Sequence, residues 1–154
     1  MENPEINIEK FILFHRKRIS LLKEFEKNKI HGRLIFQISF LGFESLAKII
    51  YPEEDCSKKR FIDLLSKTIT ESKATKLYSS WRCPLVHEGF IAIPWTTLEA
   101  WCENDIEFIS FPKTSSIRSS VEYPSESIIA IYEHLVCDIE EYFKKTNTER
   151  VEIK

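Results

Sequence analysis

Between Leu34 and Tyr51 the chain is apolar on nearly every side of a helix, and Pro52 closes the run. At helical spacing two separate stripes emerge. Ile35, Ile38, Leu41, Leu46 and Ile49 make one; Phe36, Phe40, Phe43, Ala47 and Ile50 make the other. An ordinary surface helix needs a single apolar stripe. A helix with two is either central in its own bundle or shared with another subunit. On either reading, this segment is the backbone of the fold.

The flanking sequence is helical as well. From Ile8 to about Lys29, apolar residues at Ile8, Phe11, Ile12, Ile19, Leu22 and Phe25 share one face, and His15 lies on the same stripe. Asn28 to Gly32 predicts a stop and turn, with the glycine supplying the cap. Ser57 is expected to cap a third helix burying Phe61, Leu64, Leu65, Thr68 and Ile69. A fourth begins near Ser72 and carries Ala74, Leu77, Tyr78 and Trp81. A final helix starts at Pro124-Ser125 and buries Ile128, Ile131, Tyr132, Leu135, Ile139 and either Tyr142 or Phe143.

Residues 90–123 differ in character. Phe90 to Pro94, Ile106 to Phe111 and Ile117 to Tyr123 read as extended, and Thr96-Thr97-Leu98-Glu99 resembles a capping box. This stretch is expected to be an insertion, a small β-hairpin or an irregular lid. Only three glycines occur in 154 residues, which argues against a fold dominated by tight β-turns. The expectation is a mainly α, single domain over residues 1–154: a bundle of four or five helices with an insertion at about 90–123.

A formal charge of −2 argues against a general nucleic-acid coat protein, whose affinity comes from excess lysine and arginine. It leaves room for an enzyme that grips RNA through a local patch. Cys56, Cys83, Cys102 and Cys137 show neither a C-x-x-C pair nor a zinc-ligand pattern, so they are expected to be reduced and mostly core. That usage suits a cytoplasmic compartment. The opening residues are acidic and polar rather than a secretory leader, and no uncharged run is long enough to span a bilayer. No membrane association and no cofactor are expected.

The chemistry concentrates in Arg82-Cys83-Pro84-Leu85-Val86-His87. An arginine holds phosphate oxygens in a fixed fork, and a histidine moves a proton near neutral pH. Together they supply two parts of a metal-independent phosphodiester cleavage. Positions five apart on an unbroken helix point about 140° from each other. A kink at Pro84 would let the two converge, as would a two-fold dimer that brings both copies of the motif together.

The surrounding run Leu77 to Gly89 resembles the arginine-x4-6-histidine signature of the HEPN superfamily of small helical ribonucleases. That resemblance implies a dimeric helical bundle with Arg82 and His87 as the catalytic pair, RNA as substrate, and a toxin or phage-defence role. A cognate antitoxin or defence-system partner would restrain it. Two departures stand out: Cys83 occupies a position that is commonly polar in catalytic members, and Gly89 stands where members modified by an antitoxin often carry tyrosine. Non-catalytic HEPN domains also serve as binding modules.

Tyr78, Cys83 and Glu88 are the candidate supporting residues. Glu88 would orient His87 or face solvent. Cys83 and His87, four apart, would share a helix face; a half-buried thiol is a simpler account of Cys83 than a nucleophile. The basic runs His15-Arg16-Lys17-Arg18 and Lys58-Lys59-Arg60 would either be solvated faces or track phosphates. His31, beside Gly32, reads as a capping residue and His134, in the last helix, as a packing residue. Three functions follow: an endoribonuclease, an inert module binding RNA, nucleotide or protein, and an interaction subunit with a structural motif.

Overall fold

The computed structural model describes residues 4–28, 32–82 and 124–153. A short strand β1 (Glu5–Asn7) leads into α1 (Ile8–Lys27), followed by α2 (Gly32–Ile50), α3 (Ser57–Leu65) and α4 (Glu71–Leu77). α4 runs straight into a π-helical turn, Tyr78–Arg82. A long helix α5 (Pro124–Lys145) and a strand β2 (Arg150–Glu152) complete the described chain. The fold is mainly α, as its apolar periodicity and scarce glycine imply. No helix among the described residues is long and apolar enough to cross a membrane.

α2 is the central element, in contact with α1, α3 and α5. Its two stripes have different fates. Phe36, Phe40, Phe43 and Ala47 are fully enclosed, whereas the other stripe buries Ile35, Leu46 and Ile49 but leaves Leu41 52% exposed. The phenylalanines form an aromatic core: Phe40 and Phe61 lie tilted with ring centroids 6.1 Å apart, while Phe43 packs edge-on against Phe61 at 6.0 Å and Tyr132 at 5.5 Å. Such geometry sets the positive ring edge on the negative face of its neighbour. Phe61 of α3 and Tyr132 of α5 are thereby locked onto one helix.

Gly42 makes the closest of these approaches possible. A Cβ there would overlap the ring and hydroxyl of Tyr132, reaching Cε2 at 2.7 Å. A mid-helix glycine costs about 1 kcal/mol relative to alanine, and the close seating of Tyr132 against α2 offsets it.

Local signals explain most element boundaries. Asn7 caps α1 by accepting from the Lys10 amide at 3.0 Å, and Thr70 caps α4 by accepting from Lys73 at 3.3 Å. Three expectations need correction. α1 ends at an Asn28 cap in an ordinary conformation, and Gly32 opens α2 instead of capping α1. Cys56, not Ser57, holds the cap position of α3, where its amide donates to Glu54 at 3.2 Å; Ser57 is the first helical residue. α3 also stops at Leu65, so Thr68 and Ile69 belong to the turn that follows.

A further departure lies at the ends of the described chain. β1 and β2 pair antiparallel, with Ile6 opposite Val151, and the Ile8 amide donates to the Glu149 carbonyl at 2.9 Å. Strands of three residues are too short for an alternating pattern to announce them. The extended insertion expected at 90–123 lies outside the described residues. In α5 the choice between Tyr142 and Phe143 resolves to Phe143, which is buried while Tyr142 is exposed.

Candidate functional site

The candidate site starts from the aromatic core. Tyr78, buried at the end of α4, packs edge-on against Phe61 with centroids 5.1 Å apart. Its ring in turn carries the Arg82 guanidinium, whose Cζ lies 5.0 Å from the ring centroid. One turn of π-helix joins the two residues. π turns arise where one extra residue is accommodated within a helix, and they recur at functional sites.

Arg82 then reaches α2. Its Nη2 donates to Oε1 of Glu44 in an ion pair whose side chains are only 11% and 23% exposed, respectively. Arg82 and Glu44 form one wall of a cleft of about 350 Å³ that is also lined by Leu41, Ser45, Lys48, Ser57 and Arg60. The described lining comes from α2, the start of α3 and the π turn, and includes three cations and one carboxylate.

Behind the cleft is a buried polar network. The His15 ring is fully enclosed, flanked edge-on by Phe11 at 4.5 Å and Phe14 at 5.4 Å. Its Nδ1 bonds to the Tyr132 hydroxyl, and its Nε2 lies 3.5 Å from Oγ of Ser45, which also lines the cleft. The bonds are satisfied when Tyr132 donates to Nδ1, leaving Nε2–H to face Ser45. Burial, reinforced by the positive charge of Arg18, lowers the His15 pKa to about 4. Burial also raises the Tyr132 pKa to about 12, against the opposing pull of Arg18. Both groups are neutral at physiological pH.

A second, larger hollow of about 670 Å³ lies between the start of α1 and the end of α5. Its charged lining includes Glu9, Glu140, Lys144 and Glu149. Glu140 already bonds Arg16 at 2.9 Å and sits 3.7 Å from Lys144, and Arg16 holds its carboxyl below the usual range. Among the described residues, the one cation lining this hollow, Lys144, therefore has a carboxylate neighbour.

Comparison with family models, with curated proteins and with solved structures returns no match.

Of the residues singled out in sequence, Tyr78 and Arg82 are brought together as a stacked pair. Cys83, Pro84, His87 and Glu88 lie outside the described residues. In the basic run at 15–18, His15 is core, Arg16 pairs with Glu140, Lys17 is exposed, and Arg18 lies over Phe14 at 4.5 Å. His134, expected to pack, sits exposed on α5 with Nε2 3.2 Å from Asp138, one turn on. Cys56 and Cys137 are exposed free thiols rather than core ones, the first in the loop before α3 and the second on the outer face of α5 near Arg16. Both escape burial because the apolar stripes of α3 and α5 pass them by.

Sequence reasoning missed Glu44, Ser45, Lys48 and Arg60 as site residues. A signal for two of them existed. Glu44 and Lys48 are the only charged residues between 34 and 51, four apart on a helix otherwise built for the core. Charges on such a helix mark where it leaves the core.

Proposed function

We propose that this protein is a metal-independent endoribonuclease of HEPN type, a cytoplasmic toxin or phage-defence effector that works as a homodimer under the control of a cognate antitoxin or defence-system partner. The observation that carries the reading is the seating of Arg82. A guanidinium backed by Tyr78, oriented by Glu44 and turned toward a cation-lined cleft is preorganised to receive a phosphodiester. The likeness of residues 77–89 to the arginine-histidine signature supplies the reaction.

In that reaction the 2′-oxygen of the RNA attacks the adjacent phosphorus, and the bond from phosphorus to the 5′-oxygen breaks. A base takes the 2′-hydroxyl proton and an acid delivers one to the departing 5′-oxygen. His87 fills one of these roles, and its copy in the dimer fills the other. Arg82 offsets the charge that builds on the non-bridging oxygens. The products are a 2′,3′-cyclic phosphate and a 5′-hydroxyl, and DNA is inert.

Incubating wild-type, Arg82→Ala and His87→Ala proteins with RNA in EDTA tests the proposal. Wild type should cleave, and each substitution should slow cleavage by about 10²- to 10⁴-fold. Intact RNA with every protein would refute the assignment.

One observation favours a second reading. Arg82 is already engaged by Glu44 and Tyr78, as a purely structural arginine would be. A non-catalytic module binding RNA, nucleotide or protein would then retain the fold and lose its stability, not its chemistry, on Arg82→Ala.

A further inference from the structure

Among the described residues, the lining of the Arg82 cleft carries more positive than negative charge. Glu44 is committed to Arg82. Lys48, one turn further along α2, has no carboxylate partner among the described residues. Arg60, from the first turn of α3, gives an Nη–H to the Glu54 carbonyl, a neutral acceptor that leaves its charge uncompensated. The adjacent Lys59 is the contrast. It takes Asp63 at 2.7 Å and Glu54 at 3.6 Å, so these two carboxylates serve Lys59.

Two cations with no carboxylate partner among the described residues, in a concave site lined also by Leu41 and Ala47, focus a positive field within a chain of net charge −2. A cleft of about 350 Å³ is large enough for a small ligand group. Arg60 offers a planar fork that matches phosphate oxygens, and Lys48 offers a mobile point charge. Because they rise from different helices, they can hold one phosphate between them.

We propose that Lys48 and Arg60 form a phosphate-docking subsite beside Arg82, which takes a backbone phosphate of RNA next to the one at Arg82. This subsite rests on the ribonuclease reading and assigns the residues that hold its substrate. Lys48 and Arg60 touch no scissile bond; they hold the strand in register while Arg82 and His87 act.

The test is salt-dependent binding of a short fluorescein-labelled single-stranded RNA, followed by anisotropy in the His87→Ala background so that the RNA stays intact. Lys48→Gln and Arg60→Gln should each weaken binding about tenfold. Because the two share one phosphate, the double variant should flatten the slope of log affinity against log salt by about 0.7, the value of one lost phosphate contact on a single strand, and each single variant by part of that. Lys59→Gln removes the same charge from the same helix outside the cleft and should leave the slope unchanged. Circular dichroism of each variant confirms that the helices persist.

Unchanged affinity and slope in the Lys48 and Arg60 variants would overturn the subsite, as would an equal change in Lys59→Gln. If the protein with His87 intact cleaves RNA while the slope stays put, the subsite falls and the nuclease stands. If the slope moves but His87-bearing protein leaves RNA intact, the phosphate subsite stands and the nuclease falls.

Discussion

Arg82 and Glu44, thirty-eight residues apart, meet as an ion pair at the edge of the core, with the Tyr78 ring beneath the guanidinium. The pair joins the end of the π turn to the middle of α2. Opposite charges this poorly exposed are costly to separate, because the survivor keeps its desolvation penalty and loses its compensation.

A double-mutant cycle on the pair should therefore show strong coupling. Glu44→Gln and Arg82→Gln should each lower unfolding free energy by about 2 kcal/mol, with a coupling energy of about 1–3 kcal/mol from urea denaturation. Coupling near zero would mean that Glu44 does not orient Arg82.

Arg82→Lys separates charge from geometry. Lysine keeps the positive charge but cannot bond Glu44 and a phosphate with one planar fork. RNA cleavage should fall by about 10²-fold, in the range of losing one oxyanion donor. Full activity in this variant would show that charge alone suffices.

Gly42→Ala should destabilise the protein although alanine is the better helix former. The new Cβ collides with a fully buried Tyr132 whose hydroxyl is held by His15. Overpacking of this kind costs about 1–3 kcal/mol, or roughly 2–4 °C in Tm per kcal/mol for a chain of this length. A rise in Tm on thermal denaturation would contradict the close approach.

Stability should decline in mild acid through His15. Its pKa is about 4 in the fold against an ordinary 6.5, so below 6.5 the unfolded chain binds a proton that the folded chain refuses. Full stability holds above pH 6.5. It then falls as pH drops toward 4, by a total of about 3 kcal/mol. Urea denaturation across this window measures it, and His15→Gln should flatten it. Loss confined to more acidic pH would instead implicate carboxylates such as Glu140, whose charged form the Arg16 guanidinium holds below the usual carboxylate range.

Much of the architecture was readable from periodicity. The two apolar stripes of α2 announced a central helix, and the aromatic stripe did become the core, because large residues at i, i+4 and i+7 have only one way to be hidden. Boundaries set by single hydrogen bonds were less visible: the Cys56 cap has no side-chain bond to advertise it. The site was legible only in part. Arg82 and Tyr78 were found through a short contiguous motif, but Glu44, Lys48 and Arg60 join them by packing across α2 and α3. His15 looked like one more member of an apolar stripe, and its partners Tyr132 and Ser45 are 117 and 30 residues away. Contacts of that range leave no local pattern.

The wide turn at 78–82 acts as an angular offset in the chain. Each residue of an ordinary α-helix advances the side-chain direction by about 100°, and the π turn takes up one more residue per turn, so forcing regular α winding on the same residues would over-rotate the guanidinium past its carboxylate. Aim, in this domain, depends on one surplus peptide unit.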